Sequence, residues 1–99
     1  MPARPIEVHP EALEEFKSAL AWYLERSEIA AQNLAEEVDR AIAMLVASPD
    51  RWPIGERGTR RLVLRRFPFA IVYRTTPFAV QVLAIAHGHR RPGYWKARV

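Results

Sequence analysis

The hydrophobic residues of this chain recur at a helical period in the first half of the sequence. Between Leu13 and Leu24, leucine and aromatic side chains stand three or four positions apart, and a second stripe of this kind runs from Leu34 to Leu45. Ser27 interrupts the pattern and can cap the second helix. So short a break between two amphipathic helices predicts an antiparallel hairpin.

The period changes to that of a β-strand in the second half. Segments 60–65, 69–74 and 79–86 alternate or are rich in β-branched and aromatic residues, and Ile6–Val8 predicts a short edge strand. Three strands in close succession predict an antiparallel meander, one face of which must cover the helices. The expected fold class is therefore α+β: an N-terminal strand, an antiparallel helix hairpin packed on a three-stranded antiparallel meander, and a short C-terminal segment. We expect residues 1–99 to form a single domain.

Alternation along the strands assigns the side chains to two faces. If Leu62 and Leu64 face the helices, the opposite face is part cationic and part apolar. From the first two strands of the meander it would carry Arg61, Val63, Arg65, Ala70, Val72 and Arg74. An exposed patch of this mixed kind is typical of a binding groove. The alternative is that the aliphatic residues lie under the C-terminal segment and the arginines are only solvated.

The charge of the chain is divided unevenly between its halves. The net charge is +4, but residues 1–50 carry ten acidic and four basic residues, whereas residues 51–99 carry eleven basic residues against Glu56 alone. The cationic ending also carries the aromatic pair Tyr94 and Trp95. A field this one-sided attracts an acidic partner or a polyanion.

Several classes of protein are disfavoured by the composition. The chain has no cysteine, so disulfides and thiolate metal sites are excluded, and His87 and His89 have only one acidic residue in their half of the chain. We therefore expect no metal and no cofactor. Charged residues interrupt every stretch long enough to span a bilayer, which favours a cytoplasmic protein without a membrane partner.

Two segments give the chain a family resemblance. Residues 65–74 hold a Phe-Pro-Phe entry to a strand that ends in Tyr-Arg, and residues 82–95 hold an Ala-His-Gly-His-Arg-Arg-Pro close. With the order strand, helix, helix and three strands, the chain resembles the RelE/ParE superfamily of type II toxin–antitoxin toxins. The resemblance implies a growth-inhibiting toxin that forms a hetero-oligomer with its antitoxin, whose acidic C-terminal segment folds onto the basic groove as helix and strand.

The resemblance leaves two activities to choose between. RelE-like members cut messenger RNA on the ribosome, and ParE-like members inhibit DNA gyrase. For a nuclease, the resemblance implies a site of Arg61, Arg90 and Tyr94, with His89 as a substitute acid or base. Val63 and Ala70 stand where two further basic residues would be expected, and each missing cation would cost about 3 kcal/mol of transition-state stabilisation.

We therefore favour the ParE-like branch and gyrase inhibition, with no assigned catalytic residue. The alternatives are a ribosome-dependent mRNA endoribonuclease, and an inactive toxin or plain nucleic-acid-binding module. The residues expected to contact a partner are Arg61, Val63, Arg65, Val72, Arg74, Arg90, Arg91 and Trp95.

Overall fold

The α+β order predicted from the sequence is confirmed. The computed structural model describes residues 4–99. Its elements are β1 (Ile6–Val8), α1 (Pro10–Leu24), α2 (Glu28–Ala47), β2 (Arg60–Val63), β3 (Phe69–Thr75) and β4 (Val80–His87). Short 3-10 turns lie at Pro49–Arg51, Glu56–Gly58 and Lys96–Arg98.

Local side-chain caps fix where the helices begin. The backbone N–H of Glu11 donates to His9 Nδ1 over 3.1 Å, next to a proline at the first helical position. Ser27 is extended and its Oγ accepts from the N–H of Ala30 over 3.2 Å, which confirms its predicted role as a cap. These caps satisfy N–H groups that have no partner inside the helix.

The sheet has the order β1-β4-β3-β2. β2, β3 and β4 form the predicted antiparallel meander, and β1 runs parallel to β4, pairing with Val80–Val82. The register between β3 and β4 shifts by one residue between Val72 and Tyr73, so that Leu83 has no residue opposite. Among the described residues, 4–99, β2 is an edge strand with no strand paired to its outer side.

The core lies between the helix hairpin and one face of the sheet. The strand residues predicted to point inward are confirmed there, namely Leu62, Leu64, Phe69, Ile71 and Tyr73, all of which belong to the buried cluster. Tyr73 is fully buried, and its hydroxyl donates to the carbonyl of Pro49 over 2.6 Å. That bond joins the middle strand of the meander to the 3-10 turn that follows α2.

The prediction that the aliphatic residues of β3 are exposed on the other face is wrong. Ala70 and Val72 are only 3% and 2% exposed. Val72 borders a cleft that is also lined by the 53–56 loop and by Tyr94 and Trp95 of the C-terminal segment. These segments cover the face because its small aliphatic side chains would otherwise remain in water.

Candidate functional site

A cleft on the outer face of the sheet is lined by four of the eleven basic residues of the second half of the chain. It measures about 590 Å³ and is called the cationic cleft below. Its arginines are Arg60 and Arg61 from β2, and Arg90 and Arg91 from the turn after β4. Val72 and Ala86 lie in its lining, and Tyr94 and Trp95 border it.

The four arginines of the cationic cleft are not equally available. Arg60 donates to the carbonyls of Trp52 and Asp50 and lies 3.4 Å from the Asp50 carboxylate. Arg90 stacks on the ring of Tyr94, with 4.0 Å between the guanidinium carbon and the ring centre. Arg61 and Arg91 are exposed and form no ion pair within residues 4–99. The one acidic residue of the lining, Glu56, is paired with Lys96.

The hydroxyl of Tyr94 is bound on the helix side. It donates to Glu15 Oε2 over 2.7 Å. Burial and this hydrogen bond raise the pKa of Tyr94 well above its ordinary value, so the phenol stays neutral. The ring of Tyr94 borders the cationic cleft while its titratable group is held by α1.

The histidine that ends β4 and the histidine in the following turn lie in different surroundings. His87 lines the cationic cleft, and its Nδ1 accepts from the backbone N–H of His89 over 3.0 Å. His89 is exposed and is not part of the lining. The cleft therefore collects Arg61, Arg90 and the ring of Tyr94, and leaves His89 outside.

The other predicted contact residues are spread along the sheet. Val63 is 64% exposed on β2, and Arg65 is exposed just after it. Arg74 donates through Nε to Gln81 Oε1 over 2.8 Å, and Gln81 in turn donates to Glu7, which makes a polar row across three strands. Val72 is almost fully buried and lies at the cationic cleft with very little accessible surface.

The free edge of β2 is short and has defined ends. Leu64 donates its N–H to the carbonyl of Phe69, so by the antiparallel alternation the backbone groups of Arg61 and Val63 point away from β3. At one end, Gly55 donates to the carbonyl of Thr59. At the other end, the N–H of Arg65 donates to the carboxylate of Glu37 on α2. An open edge of two residues remains.

Comparison with known proteins places the chain in a family. The family model described as the ParE toxin of the type II toxin–antitoxin system parDE matches residues 6–92. The chain belongs to the ParE toxin family. It is also similar to a solved structure of the chromosomal ParDE toxin–antitoxin system from P. aeruginosa, with a TM-score of 0.74 and 20% identity, covering 86% of this chain and 96% of that one. No curated protein matches the chain.

Family membership confirms the resemblance drawn from the sequence and its ParE-like branch. The similarity to the solved structure shows a shared fold. Within residues 4–99 the ParE-family chain has no group of three or more histidine and carboxylate side chains placed to hold a metal ion. No helix in the same range is both long and apolar enough to cross a membrane.

Sequence reasoning missed a buried carboxylate that shapes the β2 edge of this toxin. Glu37 is 8% exposed on α2 and accepts from the N–H of Arg65 over 2.6 Å and from Arg66 Nε over 3.1 Å. Burial alone would raise the pKa of Glu37, but these hydrogen bonds and the Arg66 charge outweigh it and leave the pKa below its ordinary value. A signal was available, because Glu37 stands on the apolar stripe between Leu34 and Ala41.

A second missed carboxylate, Glu15, ties the C-terminal segment to α1 and β4. Its Oε1 accepts from the N–H of Ile85 and from Arg98 Nη1, each over 3.0 Å. Its Oε2 accepts from Tyr94 and from Arg98 Nη2. Arg98 also donates to the carbonyl of Leu83. The network therefore supplies hydrogen-bond partners for the backbone of β4 beyond Val82, where the pairing with β1 ends. Glu15 lies outside the apolar stripe of α1, so the sequence pattern gives no sign of this network.

Proposed function

We propose that this ParE-family toxin arrests growth by inhibiting DNA gyrase, and that its antitoxin neutralises it by covering the outer face with an acidic segment. The observation that carries the choice of gyrase over RNA cleavage is the hydrogen bond from the Tyr94 hydroxyl to Glu15. A nuclease needs a group that can give up a proton to the leaving oxygen. Here the phenol is turned away from the cationic cleft and its pKa is raised.

The residues on the outer face of the sheet and in the cationic cleft also support a non-enzymatic role. Val63 and Ala70 supply no charge where two cations would be expected, and Ala70 is buried. His87 is the histidine that lines the cleft, and its Nδ1 is already bonded. Two free arginines suit the recognition of an acidic surface, since a guanidinium forms paired hydrogen bonds with a carboxylate.

The open edge of β2 supports the antitoxin half of the proposal. An extended segment that pairs with Arg61 and Val63 would gain main-chain hydrogen bonds on a strand flanked by Arg61 and Arg65 side chains. An acidic residue placed beside Arg61 would add charge pairing. Because the edge is open over two residues, we expect a strand of about three residues from the antitoxin.

The gyrase part of the proposal is tested by supercoiling with purified gyrase and relaxed plasmid. We expect inhibition that increases with the amount of toxin and is lost when the antitoxin is added first. Normal supercoiling at saturating toxin would contradict the proposal. Primer extension on translated messages separates the alternative, because codon-biased cuts that disappear in Arg90→Ala would indicate a ribosome-dependent nuclease instead.

The antitoxin part is tested at the backbone of Val63. Val63→Pro removes the outward N–H without removing a hydrogen bond to β3, and Val63→Thr keeps that N–H in a β-branched residue of similar size. We expect Val63→Pro to weaken antitoxin binding about 2- to 10-fold, the effect of one hydrogen bond, and Val63→Thr to bind nearly as the parent does. Equal binding by the two variants would exclude pairing at this edge.

A further inference from the structure

We propose that the cationic cleft binds single-stranded nucleic acid directly, with Arg61 and Arg91 on the phosphates and a base stacked on Trp95. The inference goes beyond gyrase inhibition and antitoxin binding, and it includes no cleavage step. It rests on three observations, which concern the free charge of the cleft, its aromatic wall and its shape.

The free charge of the cleft is positive. Of its four arginines, Arg60 is bound to Asp50 and to backbone carbonyls, and Arg90 lies on Tyr94. Glu56 is neutralised by Lys96. Arg61 and Arg91 remain, one on β2 and the other on the turn after β4, as cations that two separate segments bring to one cleft. Cations gathered in a cleft neutralise phosphates and release their counterions.

Trp95 differs from the other two tryptophans. Trp22 packs against Tyr23 and under Arg26, and Trp52 packs against Tyr73 and near Arg51. Within the described part of the chain, Trp95 has no aromatic or cation–π partner, although it borders the cleft. An indole ring beside free cations is the combination that holds single strands, because every base has a π-face that can stack on it.

The shape of the cleft favours a single strand over a duplex. A concave space of about 590 Å³ with Val72 and Ala86 in its lining can admit one unstacked base, whereas the bases of a duplex remain stacked and paired inside it. An acidic peptide would use the same arginines, but it would stack on Trp95 only where it carries an aromatic residue, whereas every base has a π-face. The aromatic wall therefore distinguishes the two ligands.

The test uses fluorescence anisotropy of the full chain with labelled oligonucleotides of about 12 nucleotides, as single-stranded DNA, single-stranded RNA and duplex DNA. Arg61→Ala/Arg91→Ala removes the two free cations. Lys17→Ala/Arg40→Ala removes the same charge from exposed positions on the helices and is the matched control. Circular dichroism confirms that each variant is folded.

We expect single strands to bind more tightly than duplex. The slope of log affinity against log salt should become shallower by about 1.4 in Arg61→Ala/Arg91→Ala, because each phosphate contact contributes about 0.7 to that slope. The control variant should keep the parent slope. Trp95→Leu should lower the affinity about 5- to 100-fold at every salt concentration with the slope unchanged, which is the effect of one lost stacking contact.

The inference is overturned if the control variant loses as much affinity as the cleft variant, since the binding would then reflect diffuse charge alone. It is also overturned if a polyglutamate peptide binds as tightly as the single strands and Trp95→Leu has no effect. A toxin that inhibits gyrase but binds no oligonucleotide would refute this inference and leave the proposed function standing.

Discussion

Removal of the Glu15 carboxylate should destabilise the toxin far more than removal of its neighbour Glu14. The Glu15 side chain is 16% exposed and its partner Arg98 is 9% exposed, and the carboxylate accepts four hydrogen bonds. Glu15→Ala leaves the Arg98 guanidinium with the more exposed Glu11, at 3.3 Å, as its ion-pair partner and with the Leu83 carbonyl, and it leaves the N–H of Ile85 without its partner. Glu14 is 71% exposed, and within residues 4–99 its carboxylate pairs with Lys17 alone, over 3.6 Å.

The magnitude follows from the burial of the pair. Breaking a buried ion pair by removing one partner costs about 3–5 kcal/mol. Because Glu11 still faces Arg98, we take the lower end, about 3 kcal/mol, which for a domain of this size lowers the melting temperature by about 12–24 °C. Glu14→Ala should change the free energy of unfolding by less than about 0.5 kcal/mol.

The assay is urea unfolding of the two variants, followed by circular dichroism, with a double-mutant cycle between Glu15→Ala and Arg98→Ala. The two changes should be coupled by about 1–3 kcal/mol, because both residues belong to one network. If Glu15→Ala is as stable as Glu14→Ala, or if the cycle shows no coupling, the C-terminal segment is not anchored in the way described.

Three further predictions concern single contacts. Glu37→Gln should destabilise the toxin at neutral pH. The difference in unfolding free energy from the parent should shrink as the pH falls below the ordinary carboxyl pKa of about 4.3, because a carboxylate with a lowered pKa loses its stabilising effect when it is protonated. Chemical unfolding at several pH values checks this. Tyr73→Phe should cost about 1–1.5 kcal/mol in the same measurement because the Pro49 carbonyl loses its donor, and a cost near zero would contradict the bond. Ser27→Ala should cost about 1 kcal/mol through loss of the α2 cap, whereas Ser48→Ala, whose side chain makes no cap bond, should be close to neutral.

Local pattern was sufficient to predict the elements of this fold and the inward face of its sheet. The helical stripes, the Ser27 cap and the inward alternation of Leu62 and Ile71 all depend on neighbours close in sequence. The pairing of β1 with β4 could not be predicted in this way. The pairing consists of three residue pairs, of which Ile6 and Val80 form the first. No local signal specifies a parallel partner strand so distant in sequence.

The candidate site was predicted only in part, and for a similar reason. Alternation placed Arg61 and Val63 on the exposed part of β2, but whether Val72 is open or covered depends on the path of the C-terminal segment. The functions of Glu15 and Glu37 depend on backbone donors 70 and 28 residues away. Sequence spacing carries no information about such contacts. The position of Glu37 on the apolar stripe of α2 does, however, indicate that its carboxylate is buried.

We propose that this toxin stops growth through gyrase rather than through messenger RNA. Plasmid topology in cells that express the toxin without its antitoxin tests this most directly. We predict that the plasmid loses negative supercoiling as growth stops, while the messages stay intact, and that expression of the antitoxin prevents the change. Growth arrest with unchanged plasmid topology would contradict the account.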